Sequence, residues 1–184
     1  QQSEVIDLQD APDIGVIDGE VEYKDVSFSY DDQTEIIKKL NLHIKPGTTN
    51  AIVGPTGAGK TTLVSLLSRL YDIHRDNGAI LIDGKDIRDV CRESMINQMA
   101  SVLQEPYIFT GTVRENIKYR HEEVTEEEMI SASQAVGCHE LIMKLPQNYN
   151  TMLEERGSNL SLGERQLISF ARALVADPKI LILD

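Results

Sequence analysis

Alternation of apolar and polar residues marks two strands early in the chain. In "VEYKDVSFSY", Val26, Phe28 and Tyr30 fall on one face; in "LNLHIKPG", Leu40, Leu42 and Ile44 do the same before the Pro46-Gly47 turn. Both predict antiparallel strands. "NAIV" predicts another short strand, directly before a glycine-rich loop. The period then changes: in "TTLVSLLSRLY", Leu63, Leu66, Leu67 and Leu70 recur at helical spacing. "GAILIDG" predicts a strand closed by Asp83-Gly84, and "ASVLQ" predicts one more.

From about residue 105 to 160 the pattern is mainly helical. Thr125 with Glu128 forms a capping box before a helix that should reach about Val136 and stop at Gly137. "HELIMKL" predicts a shorter helix ended by Pro146. "GERQLISFARALVA" is helical through Leu167, Phe170, Ala171 and Leu174, breaks at Asp177-Pro178, and is followed by the strand "ILILD". Strand–loop–helix alternation with apolar strands predicts an α/β fold with a mainly parallel core sheet. Residues 1–18 are acidic, contain Pro12 and Gly15, and read as a linker.

Composition narrows the functional classes. The net charge of −12 argues against free nucleic-acid binding, which needs a basic face to neutralise phosphates. No apolar run approaches the length that spans a bilayer, and the acidic start lacks the basic and apolar parts of a signal peptide. The chain is therefore expected to be soluble, with any membrane role supplied by a partner or by further chain. Cys91 and Cys138 form no CxxC pair and read as reduced packing residues.

The strongest chemical signal is "GPTGAGKT", Gly54 to Thr61, which fits G-x-x-x-x-G-K-[ST] in full. Glycines let backbone N–H groups turn inward around phosphate oxygens. A helix beginning at Lys60 would aim its positive end at the same place. Lys60 supplies a cation for the β- and γ-phosphates, and the Thr61 hydroxyl suits Mg²⁺. A second contact to the metal is expected from an aspartate closing a neighbouring apolar strand, and Asp184 is the candidate. Read alone, Asp184 would be an ordinary strand-end cap.

Between these motifs lies "GSNLSLGERQLISFARAL". With the phosphate loop and "ILILD", it resembles the nucleotide-binding domain of ATP-binding-cassette (ABC) transporters, over about residues 19–184. "VSFSY", "PYIFTGTVRENI" and "ERGSNLS" are similar to the exporter branch, and residues 1–18 to the linker that leaves its last transmembrane helix. The resemblance implies a phosphate-loop NTPase fold with a parallel core sheet, an N-terminal antiparallel β subdomain and an inserted helical subdomain at about 105–160. It implies ATP and Mg²⁺ as cofactors, held by Gly54, Pro55, Thr56, Gly57, Ala58, Gly59, Lys60, Thr61 and Thr62.

Other roles follow residue by residue. Tyr30 matches the aromatic that stacks on adenine, although alone it reads as a core residue on a strand face. Gln104 matches the glutamine that touches Mg²⁺ and the attacking water, so the implied metal set is Thr61, Gln104 and Asp184, with Lys60 and Gln104 as the catalytic residues present. Glu155, Arg156 and Gly157 match the loop facing the coupling helices. Ser161, Leu162, Gly163 and Glu164 match the signature that contacts ATP on a partner subunit; Ser161 with Glu164 is also a capping box.

The departures are specific. Leu162 stands where the family has glycine, Glu164 where it has glutamine, and Glu154 where exporters have glycine; Asn50 is an odd polar residue for a core strand. The family's glutamate after the strand aspartate and its later histidine lie beyond Asp184, so the chain reads as an ABC domain cut after the strand aspartate (Walker B). His43, His74, His121 and His139 match no such position.

The implied parent hydrolyses MgATP in a head-to-tail homo- or heterodimer and drives export through a fused or associated transmembrane domain, at the cytoplasmic face of the plasma (inner) membrane. The chain itself is expected to bind ATP with little or no turnover. Two rival readings are a non-hydrolysing partner module of an asymmetric pair and a soluble ABC ATPase acting on nucleic acid or ribosomes.

Overall fold

Both alternating stretches fold as strands, and they pair with each other. The structure, a computed structural model, describes residues 5, 7–31, 34–119 and 121–183. The chain divides into two compact units, Gln1–Met99 and Ala100–Asp184.

The first unit holds β1 (Val21–Ser29), β2 (Glu35–Ile44), α1 (Lys60–Leu67), β3 (Ala79–Ile82), β4 (Lys85–Asp86) and α2 (Arg92–Ile96). Its sheet has the order β2-β1-β3-β4, with all neighbours antiparallel. Asp83 and Gly84 both have positive φ, 49° and 75°, which is the twist a two-residue hairpin turn needs. Simple alternation does not describe β1. Val21 and Tyr23 face the core, an extra residue intervenes, and Val26 and Phe28 face the core again. Asp25 is the extra residue, at φ 49°, and it exchanges hydrogen bonds with the side chain of Asn41. Gly78 passes so close to this bulge that a β-carbon there would sit 2.4 Å from the Lys24 carbonyl oxygen.

Residues 7–18 form no strand or helix, yet they are docked. Ile14 and Ile17 are buried, and their N–H groups donate to Ser94 Oγ and Gln98 Oε1, each at 3.0 Å. Gln98 Nε2 and Lys85 Nζ donate back to the carbonyls of Gly15 and Ile14. The Cys91 N–H donates to the Pro12 carbonyl. The segment is a strap along the first unit.

The expected strand "NAIV" does not form. Val53 is 88% exposed, Ile52 is exposed, and no described strand pairs with them. A four-residue strand without a hydrogen-bonded neighbour has nothing to hold it extended. Asn50 is accordingly no core residue: it is exposed and its amide donates to Thr48 Oγ1. The α1 helix also stops earlier than its leucine spacing suggests, at Leu67, leaving Leu70 exposed.

The second unit contains β5 (Met99–Val102, beginning at the boundary), β6 (Gly111–Thr112), α3 (Val113–Lys118), α4 (Glu126–Ala135), α5 (His139–Ile142), β7 (Met152–Leu153), α6 (Leu162–Val175) and β8 (Ile180–Leu183). β5 and β8 form one two-stranded sheet and β6 and β7 another, the latter antiparallel. α6 packs against α3 and α4 around Ile117, Met129, Ile142, Ile168 and Ala171. Cys138 lies in this core, where burial pushes its thiol up to about 12. Three helices share one N-terminal device. Thr112–Glu115, Thr125–Glu128 and Ser161–Glu164 are complete capping boxes at α3, α4 and α6.

Candidate functional site

The phosphate loop runs into α1, whose N-cap is Gly59 at φ 88°; Gly57 has φ 84°. L-residues avoid this region, so glycine is the natural occupant of both positions. At Gly59 a β-carbon would also meet Ile36 Cγ2 at 3.2 Å, so the loop lies flush on β2. Within the loop, the Ala58 N–H donates to the Pro55 carbonyl. The N–H groups of Gly57, Gly59, Lys60, Thr61 and Thr62 find no acceptor among the described residues. Lys60 Nζ donates to the carbonyls of Gly54 (2.8 Å) and Pro55 (3.0 Å), which hold the ammonium over the loop. An ammonium has three donors, so one remains for an incoming anion.

The N-terminus of α1 differs from those of α4 and α6. It has no side-chain cap and no acidic residue in its first turn, whereas Glu128 and Glu164 close the other two. A helix end with free N–H groups, a positive dipole and an adjacent lysine is arranged to take an anion. Thr61 is exposed, and its hydroxyl bonds to no described residue. A free hydroxyl beside a phosphate site suits Mg²⁺, which prefers oxygen ligands. Thr62 differs: it is buried, and its Oγ1 accepts from the Tyr30 hydroxyl at 3.1 Å.

Tyr30 is no core residue. It is 50% exposed and stands beside α1, with Phe28 and Tyr71 edge-on to it at 5.0 Å each. An exposed ring held upright by two neighbours and a hydroxyl bond presents a face for stacking. The reading of Tyr30 as a core residue on a strand face therefore does not hold.

In the second unit, Gln104 is exposed two residues after β5. Asp184 lies outside the described residues; β8 leads up to it. At the signature, Ser161 is the N-cap of α6, its N–H donates to Glu164 Oε2 at 2.6 Å, and Glu164 N–H returns to Ser161 Oγ. The Ser161 backbone bond holds the Glu164 carboxyl below its ordinary value. Leu162 occupies the first turn of the helix without positive φ, so leucine is conformationally acceptable there; its side chain is 53% exposed. Gly163 likewise lacks positive φ, and a β-carbon on it would meet nothing within 4 Å. The fold does not require glycine at 163, and the space above it is open.

The preceding loop is held by its own side-chain hydrogen bonds. Glu154 accepts from Ser158 Oγ at 2.7 Å in ordinary backbone geometry, so glycine is not needed there. Glu155 and Arg156 are exposed, Arg156 at φ 56°. Gly157 is buried, and a β-carbon would press on Arg165 Cδ at 3.0 Å. Arg165 ties the loop to α6 through the Leu160 carbonyl at 2.7 Å.

Arg172 and Asn116 were not apparent as a unit from sequence. Arg172 donates to the Asn116 side chain and carbonyl and to the Tyr107 carbonyl, and it lies over the Phe109 and Tyr119 rings. Burial pulls its guanidinium down to about 10. Asn116 in turn closes onto Phe109 and Thr112, fixing the chain that follows Gln104. Among the described residues, the four histidines make local contacts. His43 pairs with Glu20, His121 with Glu123 and His139 with Tyr149, while His74 caps a turn.

Residues 37–184 match the family model described as ABC transporter. The chain belongs to the ABC transporter family. Its fold is that of the ABC nucleotide-binding domain: it superposes with a TM-score of 0.92 on a bacterial Atm1-family ABC exporter with ATP bound, at 39% identity, over 98% of this chain and 31% of that one. It is 48% identical over 166 residues to the probable multidrug resistance ABC transporter ATP-binding/permease protein YheH of Bacillus subtilis, covering 90% of this chain and 24% of that protein. It is 44% identical over 181 residues to the ATP-dependent lipid A-core flippase of Syntrophus aciditrophicus, covering 98% of this chain and 30% of that protein. This ABC domain thus spans about a quarter to a third of the length of such relatives.

Proposed function

We propose that the chain binds MgATP and acts as the ATPase domain of a membrane exporter. One observation carries the nucleotide reading: the N-terminus of α1 keeps its N–H groups free, lacks a carboxylate, and has the Lys60 ammonium held above it. Gly54 to Thr62 would wrap the phosphates, and Tyr30 would stack on the adenine. Thr61, with Gln104 and Asp184, would hold Mg²⁺, which when bound neutralises charge on the phosphates. Lys60 would stabilise the charge developing on the γ-phosphate during attack by water, and Gln104 would orient that water.

The composite site is part of the same reading. Ser161 and Gly163 would reach the γ-phosphate held by a second nucleotide-binding subunit in a head-to-tail dimer, identical or not. The names of the relatives support a transmembrane partner, fused or associated; this domain would then sit at the cytoplasmic membrane face. Glu155 to Gly157 would face that partner. A second reading is favoured by Glu164: a carboxylate on the signature helix suits the weaker half of an asymmetric pair.

Calorimetric titration with MgATP tests the site. Lys60→Ala removes a charge-assisted bond and should weaken affinity by roughly 10- to 100-fold. Unchanged affinity would reject the assignment.

A further inference from the structure

Arg69 is the one charged side chain in the buried class among the described residues, at 1% exposure. It lies two residues past the end of α1, at φ 47°, a backbone conformation that L-residues adopt only when surroundings enforce it. The surroundings are two carboxylates and two loops. Asp72 takes its Nε and one terminal nitrogen at 3.1 and 3.2 Å, and the Val90 carbonyl accepts from the other terminal nitrogen. That nitrogen also donates to Asp7 Oδ1 at 2.7 Å. Asp7 belongs to the strap, and its second oxygen accepts from the Arg92 N–H at 2.9 Å. Arg92 Nε closes the ring by donating to the Arg69 carbonyl at 3.0 Å.

The other end of the same helix carries the phosphate loop. α1 is eight residues long, about 12 Å, a short continuous rod. Its middle is pinned to the sheet by the buried bond from the Tyr23 hydroxyl to the Leu63 carbonyl at 3.0 Å. A rod held in the middle and clamped at its tail has its head position set by the clamp. We infer that Asp7, acting through Arg69, is a positioning residue for the phosphate loop, so that strap docking and nucleotide binding are linked equilibria. The inference rests on the nucleotide reading of the loop.

Linkage is reciprocal, and this separates coupling from mere anchorage. In the full-length protein, saturating MgATP should slow amide hydrogen exchange at Ile14 and Ile17, whose N–H groups report docking of the strap. Asp7→Asn should speed exchange at those amides and weaken MgATP affinity by roughly fivefold or more, with Asp72 still pairing Arg69. Asp7→Glu, which keeps the carboxylate, should restore most of both. Binding of MgATP without protection of the two amides overturns the inference. So does an Asp7→Asn protein that releases the strap yet binds nucleotide as the wild type does, or one whose strap exchange is unchanged. A wild-type protein that binds no MgATP overturns the phosphate-loop reading itself, and this inference with it.

Discussion

Glu164 shows how one atom replaced in a motif changes its electrostatics without changing its shape. Its carboxylate takes the Ser161 N–H, and a glutamine oxygen could accept the same bond. The difference is one negative charge at a helix end otherwise suited to phosphate. Glu164→Gln should therefore keep α6 intact while tightening ATP-driven association of two nucleotide-binding subunits by roughly three- to tenfold at low salt. The gain should shrink as ionic strength rises. Light scattering with MgATP at two salt concentrations measures it; equal association of both proteins at low salt would remove Glu164 as a modulator.

At the scale of elements, three carboxylates do the same work. Glu115, Glu128 and Glu164 are each held below the ordinary value of 4.5 by the backbone N–H of their N-cap residue. Their folded values are depressed, so the caps contribute fully above pH 4.5 and are lost as pH falls through the lower folded values. The amide protons of Thr112, Thr125 and Ser161 should shift together in an NMR titration, with midpoints below 4.5, while Thr61 at the carboxylate-free start of α1 should not follow. Midpoints at or above 4.5 would contradict the caps. Two of these boxes, at Thr125 and Ser161, are plain in the sequence because an apolar period begins right after them; the third, at Thr112, heads a helix of only six residues and offers no period to announce it. The bulge at Asp25 was equally silent, since one inserted residue flips the alternation without leaving a compositional mark. The phosphate loop was legible because its chemistry is local. The strap and the Arg69 clamp were not, because Asp7, Arg69 and Arg92 meet only across large sequence separations.

Over the whole molecule, burial is organised in two cores. Ile82 lies in the first unit, and Met129, on α4, lies in the core of the second; both are fully buried. Met129→Ala should cost about 2–5 kcal/mol of the stability of the second core. Hydrogen exchange should then accelerate in α3, α4 and α6 while β1 and β3 keep their protection. Ile82→Ala should give the converse pattern. Uniform loss of protection along the chain in either variant would mean that the cores melt as one.

The two thiols differ in a way that bears on how the strap can be watched. Cys138 is sealed in the second core with its thiol pushed up to about 12, whereas Cys91 is partly exposed and its backbone N–H holds the Pro12 carbonyl of the strap. A thiol-directed fluorophore applied briefly near neutral pH should therefore mark Cys91 and spare Cys138. The chain carries, without any engineering, a single optical reporter placed against the segment whose docking is at issue.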